Sequence, residues 1–596
     1  MIKKLIKKYF ESLVYFYSHL KYKVFIVFGF SIAVGILDSL GLTMFLPLLQ
    51  MVNDSSGVNP ENLGNLRFIL DAVLFFGINV NLLSILLIMS SFFLVKGFIY
   101  FLAGIYRVNV QESFITRLRT NNLKGLNALS YKYFVRSDIG RIQNTLTGEV
   151  ERVARAFTFY FRSFQNGIMI LIYMTFAFLV DAQFAILVSM GGISANFFYK
   201  YLYNYTKTSS RQLTADVNVF QSLIIQNVSN YKYLKATNSL DNYATKLLDY
   251  IKRIEISNKA LGKLDALQLA IREPILIILV VSIIYIQTTV LGSSLAPILI
   301  SLLFFYRALN YLMQMQMDWN RFLEVTGSVE NMTAFEKEMK VNREYSGAGK
   351  IVDSINTLEL SEVSFNYSST TVLKDINLKI NKNETLGFVG ESGSGKTTLL
   401  NILAGLLRVE KGKYYINGVN SKEMDLKYLQ NKLGYITQDS VIFNDTIFNN
   451  VTFWDEKNEA NLNKFLKVIK KASLSDYVES LPQKENEVLG NNGINLSGGQ
   501  KQRICIAREL YKDVEILILD EATSALDSET EQAIQKNIDD LKGEYTILII
   551  AHRIATVKNA NRIVVMKSGE ITEIGTFSEL IRESTYFKKI VQLQDI

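Results

Sequence analysis

Four residue types are scarce in this sequence, and each scarcity excludes something. There is one cysteine, Cys505, in 596 residues. It excludes an internal disulfide and any zinc-like Cys cluster, and it reads as a packing residue. There are two histidines, His19 and His552. His19 precedes the first apolar segment and reads as interfacial. There are five prolines, and the two polar stretches 107–159 and 206–273 hold none. Nothing there interrupts a long helix. Acidic residues are outnumbered by basic ones, for a net charge of +8. The excess Lys and Arg lie next to apolar segments, so the charge does not point to nucleic acid.

What the chain does have is apolar surface. It is 49% hydrophobic and 12% aromatic, with a mean hydropathy of +0.16. That is too apolar for an ordinary soluble protein of this length. The apolar residues concentrate before residue 320. Six candidate spans follow: Val24–Leu49, Leu82–Tyr106, Gly167–Val180, Phe184–Tyr203, Ile275–Leu291 and Pro297–Met317. A crossing helix needs about 20 residues, so the third is expected to begin near Tyr160, with Arg162 at the interface. Lys and Arg crowd the N-terminus and the loops 107–159 and 206–273, whereas loop 50–81 carries only Arg67. By the positive-inside rule both termini lie in the cytoplasm. The first apolar segment is too long for a signal peptide and lacks a small-residue cleavage site. Residues of about 1–20 read as an amphipathic interfacial helix. Within loop 50–81, about 65–77 is apolar but too short to span, and reads as a helix lying on the outer face.

The second half changes character. Gly390-Glu391-Ser392-Gly393-Ser394-Gly395-Lys396-Thr397, followed by Thr398, reads G-x-x-x-x-G-K-T between a buried strand and a helix. Its glycines let successive backbone N–H groups converge on a phosphate. Lys396 adds a point charge, and Thr397 offers a hydroxyl to Mg²⁺. Four apolar β-formers then lead to Asp520 and Glu521, placing two carboxylates at the carboxyl end of a parallel strand, where such sheets bind ligands. Asp520 is expected to hold Mg²⁺ and Glu521 to polarise the attacking water. His552 ends a further strand and is expected to face the γ-phosphate.

Together with Leu496-Ser497-Gly498-Gly499-Gln500, Gln438, Tyr367 and Ser524-Ala525-Leu526-Asp527, these motifs make residues 358–596 resemble the nucleotide-binding domain of ABC transporters. The whole chain resembles a type IV exporter half-transporter. The resemblance implies an α-helical six-span transmembrane domain with long cytoplasmic helical extensions, followed by an α/β P-loop ABC ATPase domain. The expected boundaries are 1–320 for the membrane domain, 321–357 for a linker and 358–596 for the ATPase. It implies ATP and Mg²⁺ as cofactors, Tyr367 stacking on adenine, and Gln438 as a metal and catalytic residue. Ser497, Gly498, Gly499 and Gln500 would cap nucleotide held by a second copy, hence a homodimer. The loops' tips, about 129–138 and 219–231, resemble coupling helices. One departure is Gly490-Asn491-Asn492-Gly493, where exporters usually carry an acid and often an arginine.

The outer-face helix and the first span, with Asp38, Gly41 and Pro47, resemble the bacterial flippase for lipid-linked oligosaccharides. This implies a lipid or lipid-linked glycan cargo moved across a bacterial inner membrane. The alternatives are a multidrug or peptide exporter, or an ATP-gated channel or regulator. Charged residues at membrane depth usually face a cavity or a partner. Lys96, Arg272 and Arg307, with Asp38, are therefore the candidate cargo residues, or else partners of one another.

Overall fold

The structure, a computed structural model, describes residues 12–53, 71, 74–75, 77, 80–180, 182–285, 289, 295–344, 354–367, 370–520, 528–551 and 553–592. At Arg272, 187–204 and 295–300, among others, the backbone alone is described. Glu521, the Ser524–Asp527 segment, His552 and most of the expected outer-face helix at 65–77 lie outside the described residues, as does 1–11 of the expected interfacial helix. The chain divides into two compact units: Met1–Leu129 with Arg136–Arg343, and Glu344–Ile596 together with Ser130–Val135.

The first unit is helical. Its long helices are α1 (Lys23–Thr43), α2 (Leu82–Asn127), α3 (Val150–Val180), α4 (Ala182–Ser229), α5 (Leu240–Tyr285) and α6 (Leu295–Val341). Asn81 starts α2 with a reciprocal capping box to Ser84, which satisfies two otherwise orphaned N–H groups. Among the described residues, Lys23–Leu48, Leu82–Asn127 and Ile139–Val180 are long and apolar enough to cross a membrane. Below those stretches the helices are held by aromatic packing. Phe16, Phe114, Phe157, Tyr160, Phe161 and Phe322 form one buried cluster, with Phe157 and Phe161 at 4.4 Å between centroids. Phe16 comes from the helical residues 12–20 and ties that segment to the bundle. His19 reaches Glu336 at 3.5 Å, and its pKa is raised: Glu336 and the Tyr15 carbonyl outweigh the burial that opposes the charge.

Two boundaries differ from the sequence reading. The segment 321–341, read as the start of a linker, continues α6, with Phe322, Val329 and Met332 buried in the aromatic cluster. The second loop tip lies later than expected. Helix α4 runs through 219–229, and the chain turns over the short helix Tyr231–Ala236 before α5. Leu234 is buried there and Asn238 takes a left-handed φ of 52°, a conformation asparagine tolerates better than most residues. The first tip agrees with its expected position: α2 stops at Asn127, a short helix spans Tyr131–Phe134, and helix resumes at Ile139.

The second unit is α/β. A four-stranded antiparallel sheet has the order β2-β1-β4-β5, and a six-stranded sheet has the order β10-β9-β3-β8-β7-β6. The strands are β1 (Thr357–Asn366), β2 (Thr371–Asn381), β3 (Thr385–Gly390), β4 (Lys411–Ile416), β5 (Val419–Asn420), β6 (Leu433–Ile436), β7 (Ile516–Asp520), β8 (Thr546–Ile550), β9 (Arg562–Lys567) and β10 (Glu570–Gly575). From β9 to β6 the larger sheet is parallel. Apart from Thr546 at the start of β8 and Asp520 at the end of β7, strands β7 and β8 are apolar and buried on both faces, as parallel strands covered by helices require. The two helices that matter most are α7 (Lys396–Leu403) and α8 (Gly498–Tyr511).

Candidate functional site

The parallel register brings the carboxyl ends of β3, β8, β7 and β6 into one row. Asp520 is level with Ile550, and Leu519 with Ile436. The loop 390–395, Asp520 and Gln438 therefore leave the sheet at the same edge, where open α/β sheets bind ligands. Glu521 and His552 follow Asp520 and Ala551 directly in the chain.

The loop before α7 has the shape of a phosphate cradle. Gly390, Gly393 and Gly395 have φ of 152°, 80° and 99°, a region that favours glycine. A Cβ on Gly390 would stand 2.2 Å from the Met566 carbonyl oxygen, and one on Gly395 would stand 2.8 Å from Leu373. Only glycine fits at these two positions. The Gly569 N–H donates to the Ser394 carbonyl at 3.2 Å and backs the loop from the β9–β10 turn. Lys396 is buried, and its Nζ donates to the carbonyls of Gly390 at 2.8 Å and Glu391 at 2.9 Å. Its ammonium thus lies across the mouth of the loop. Thr398 is buried and Ser394 is buried under the loop, whereas Glu391, Ser392, Gly393 and Thr397 are exposed. The donor set suits a nucleotide phosphate with Mg²⁺: N–H groups and an ammonium for the anion, and oxygen ligands from Thr397, Gln438 and Asp520 for a hard cation.

Tyr435 adds a residue the sequence reading missed. Its hydroxyl donates to Asp520 Oδ2 at 3.2 Å and meets Asn401 Oδ1 of α7 at 3.3 Å. Burial, then the Asp520 charge, pushes the phenol far above its ordinary range. Tyr435 therefore remains a neutral donor that fixes one oxygen of the Asp520 carboxylate. Gln438 is exposed three residues beyond it. A second missed residue is Arg508 of α8, which is buried and donates to the carbonyls of Asn450 at 2.6 Å and Val441 at 2.7 Å. It ties α8 to the segment that follows Gln438. Neither has a local signal, because both act across 34 residues or more.

Tyr367 lies just past β1, half-buried, with Phe365 edge-on at 5.2 Å. From 130–135, Lys132 bonds Glu410 at 2.5 Å and stands 5.1 Å from the Phe365 ring centre. Tyr131 packs beside Tyr367 on the same core. Its phenol is raised by burial first and then by Tyr367 and Asp520.

Ser497 caps α8. Its Oγ accepts from the Gln500 N–H at 3.2 Å, and Gln500 Oε1 accepts from the Ser497 N–H at 2.8 Å. Ser497 and Gly498 are exposed and Gly499 is buried. The preceding Gly490–Gly493 turn is tight: Asn492 has φ 51°, and a Cβ on Gly493 would stand 2.9 Å from Leu496. The two asparagines thus serve a turn packed on the signature's own leucine.

In the helical unit, Asp38 is fully buried. It accepts from Lys96 Nζ on one oxygen and from the Tyr173 hydroxyl on the other. Tyr173 stacks on Tyr311 at 5.4 Å. The pair links α1, α2 and α3 through residues 58 and 135 positions apart. Arg307 is half-buried on α6 near the two tyrosines, and among the described residues it forms no ion pair. The Arg272 side chain lies outside the described residues; its helix, α5, carries Pro274 in its interior.

Comparison with known proteins agrees with both units. Residues 24–317 match the family described as ABC transporter transmembrane region, and residues 373–524 match the family described as ABC transporter. An ATP-dependent lipid A-core flippase of Desulfotalea psychrophila is 28% identical over 519 residues, covering 85% of this chain and 89% of that protein. A flippase of the same name from Syntrophus aciditrophicus is 40% identical over 237 residues, 40% of this chain and 39% of that one. A putative multidrug export ATP-binding/permease protein of Staphylococcus aureus is 40% identical over 252 residues, 42% of this chain and 43% of that one. The solved structure of a bacterial Atm1-family ABC exporter with ATP bound superposes with a TM-score of 0.76, covering 96% of this chain and 98% of that one at 20% identity, and so shares the fold. With a transmembrane region and an ATP-binding domain fused in one polypeptide, this membrane protein belongs to the ABC transporters and couples ATP hydrolysis to transport.

Proposed function

We propose that the chain is a homodimeric flippase that moves a lipid or lipid-linked glycan from the inner to the outer side of a bacterial inner membrane, with its ATPase domain in the cytoplasm. Two of the relatives matched over this chain bear the name lipid A-core flippase. ATP is held by the glycine loop, Lys396 and Thr398, with Tyr367 on the base. Thr397, Gln438 and Asp520 would hold Mg²⁺, which when bound would supply neutralisation of the phosphate charge. Tyr435 orients Asp520, Glu521 takes the proton of the attacking water, and His552 faces the γ-phosphate. The signature of the second copy completes each site. Closure of the two ATPase domains on ATP drives six spans from an inward-open to an outward-open state.

One observation carries the cargo class. Asp38 is already neutralised by Lys96 and Tyr173, so it does not balance the Arg307 charge. A guanidinium at membrane depth is costly unless it meets a partner. A phosphate-bearing headgroup supplies that partner, and arginine binds it bidentately. Lys96 and Asp38 are then structural, and Arg307 meets the cargo. Arg307→Ala is expected to lower lipid-stimulated ATPase and flipping by about tenfold or more, the loss of one charge-assisted bond, while basal ATPase persists. Lys96→Ala is expected to behave differently. It strands a buried carboxylate at a cost of about 3–5 kcal/mol and should lower the melting temperature. Normal transport by Arg307→Ala would remove the headgroup contact from the proposal.

A further inference from the structure

A cavity of about 420 Å³ opens between α3, α4, α5 and α6, a volume within the range of about 300–1,000 Å³ typical of ligand sites. It does not coincide with Arg307 or the nucleotide site. Its lining residues precede the apolar stretches of α3 and α5 and follow that of α6, so it lies beyond the spans on the side of the basic loops. Both signs of charge face it: Arg152 and Arg155 from α3, Asp265 from α5 and Glu324 from α6, with Asn258 and Thr214 between them.

The groups do not satisfy one another. Arg152 Nε and Asp265 Oδ1 are buried and hydrogen-bond to nothing among the described residues. Neither Asp265 nor Glu324 forms an ion pair among the described residues. Burial, with the Asp265 charge beside it, pushes Glu324 up to about 7, against the pull of Arg321 and Arg155. Arg152 is positioned by a π-helical turn, Thr145–Glu149, immediately before α3. Such turns often mark functional sites. This one buries Glu149 fully and lets its Oε1 accept from Arg152 Nη2 at 2.7 Å, which fixes the guanidinium and turns its Nε away from that bond.

A free anion entering the cavity would face two carboxylates, and a free cation would face two guanidiniums. Among the described residues no three His, Cys, Asp or Glu side chains converge as metal ligands. A molecule carrying both charges meets every unsatisfied group. We propose that this cavity binds a zwitterion in which a primary ammonium and a phosphate are joined by a short linker, the ammonium between Asp265 and Glu324 and the phosphate against Arg152 and Arg155. With its additional acceptor oxygens, a phosphate suits two guanidiniums better than a single carboxylate would. The molecule is either free in the cytosol or the headgroup of an inner-leaflet lipid.

Isothermal titration of the full chain in phosphatidylglycerol nanodiscs tests this, with phosphoethanolamine as probe and ethanolamine and inorganic phosphate as its separated halves. Phosphoethanolamine is expected to bind more tightly than either half by about tenfold or more. Asp265→Asn and Arg155→Gln should each weaken it by a similar factor. Gly262 also lines the cavity, and nothing lies within 4 Å of where its Cβ would stand. Gly262→Leu should therefore fill the space and abolish binding without displacing a neighbour, even if the charge variants fold poorly. Adding phosphatidylethanolamine to the nanodiscs separates the two sources. Competition assigns the cavity to a lipid headgroup, and unchanged binding assigns it to a soluble molecule. The proposal is overturned if phosphoethanolamine fails to bind, if it binds no better than its halves, or if Gly262→Leu binds it like the wild type.

Discussion

Glu521→Gln is expected to cut ATP turnover by about 10²–10⁴-fold, the usual cost of losing a general base, while ATP still binds. The amide keeps the size of the carboxylate and can accept a hydrogen bond, but it cannot take the proton of the attacking water. The groups that bind ATP in this account, namely the glycine loop, Lys396 and Asp520 with Tyr435 behind it, are untouched by the substitution. The variant should therefore accumulate ATP and a closed dimer. Single-turnover hydrolysis with labelled ATP, alongside equilibrium nucleotide binding, checks both halves. Turnover near the wild-type rate would show that another group serves as base.

The second large effect concerns where each site is completed. Lys396→Ala removes the ammonium from the mouth of the phosphate loop, and Ser497→Arg places a bulky cation at the exposed cap of α8. Each homodimer carries the lesion in both sites and should be inactive. In a mixed dimer with sites shared between chains, both lesions fall in one site and the other is intact. Random mixing makes about half the dimers mixed, each with one working site, so activity should return to about a quarter of wild type. ATPase assays on co-expressed, doubly tagged dimers measure this. Mixed dimers that form but stay inactive would place each site within a single chain.

What was legible in the sequence was whatever is local. The phosphate loop, the acid at the end of β7 and the signature cap each lie within a dozen residues and announce their backbone requirements: glycines with positive φ, an apolar strand ending on a carboxylate, a serine with a glutamine three residues on. Long-range partners were not legible. The distance along the chain from Tyr435 to Asp520 is 85 residues, and from Asp38 to Lys96 it is 58. The sequence identified Lys96, Arg307 and Asp38 as unusual, but packing decides that Lys96 and Tyr173, not Arg307, bond Asp38. The second loop tip was misplaced because 219–229 carries helical periodicity up to Asn230, and the turn depends on a left-handed Asn238 that no pattern signals. The linker boundary failed for a similar reason. The polar, charged face of 321–341 conceals Phe322, Val329 and Met332, which pack on helices distant in sequence.

The central claim is ATP-driven movement of a phosphate-bearing lipid. It is tested most directly by reconstituting the purified chain in proteoliposomes with a fluorescent lipid or lipid-linked glycan that can be quenched only from the outside. Vesicles whose ATPase domains face outward should, on addition of ATP and Mg²⁺, move the reporter from the outer to the inner leaflet. That movement should be absent with Glu521→Gln and strongly reduced with Arg307→Ala. ATP hydrolysis at full rate with no redistribution of the lipid, in vesicles that accumulate a drug or a peptide instead, would contradict the account.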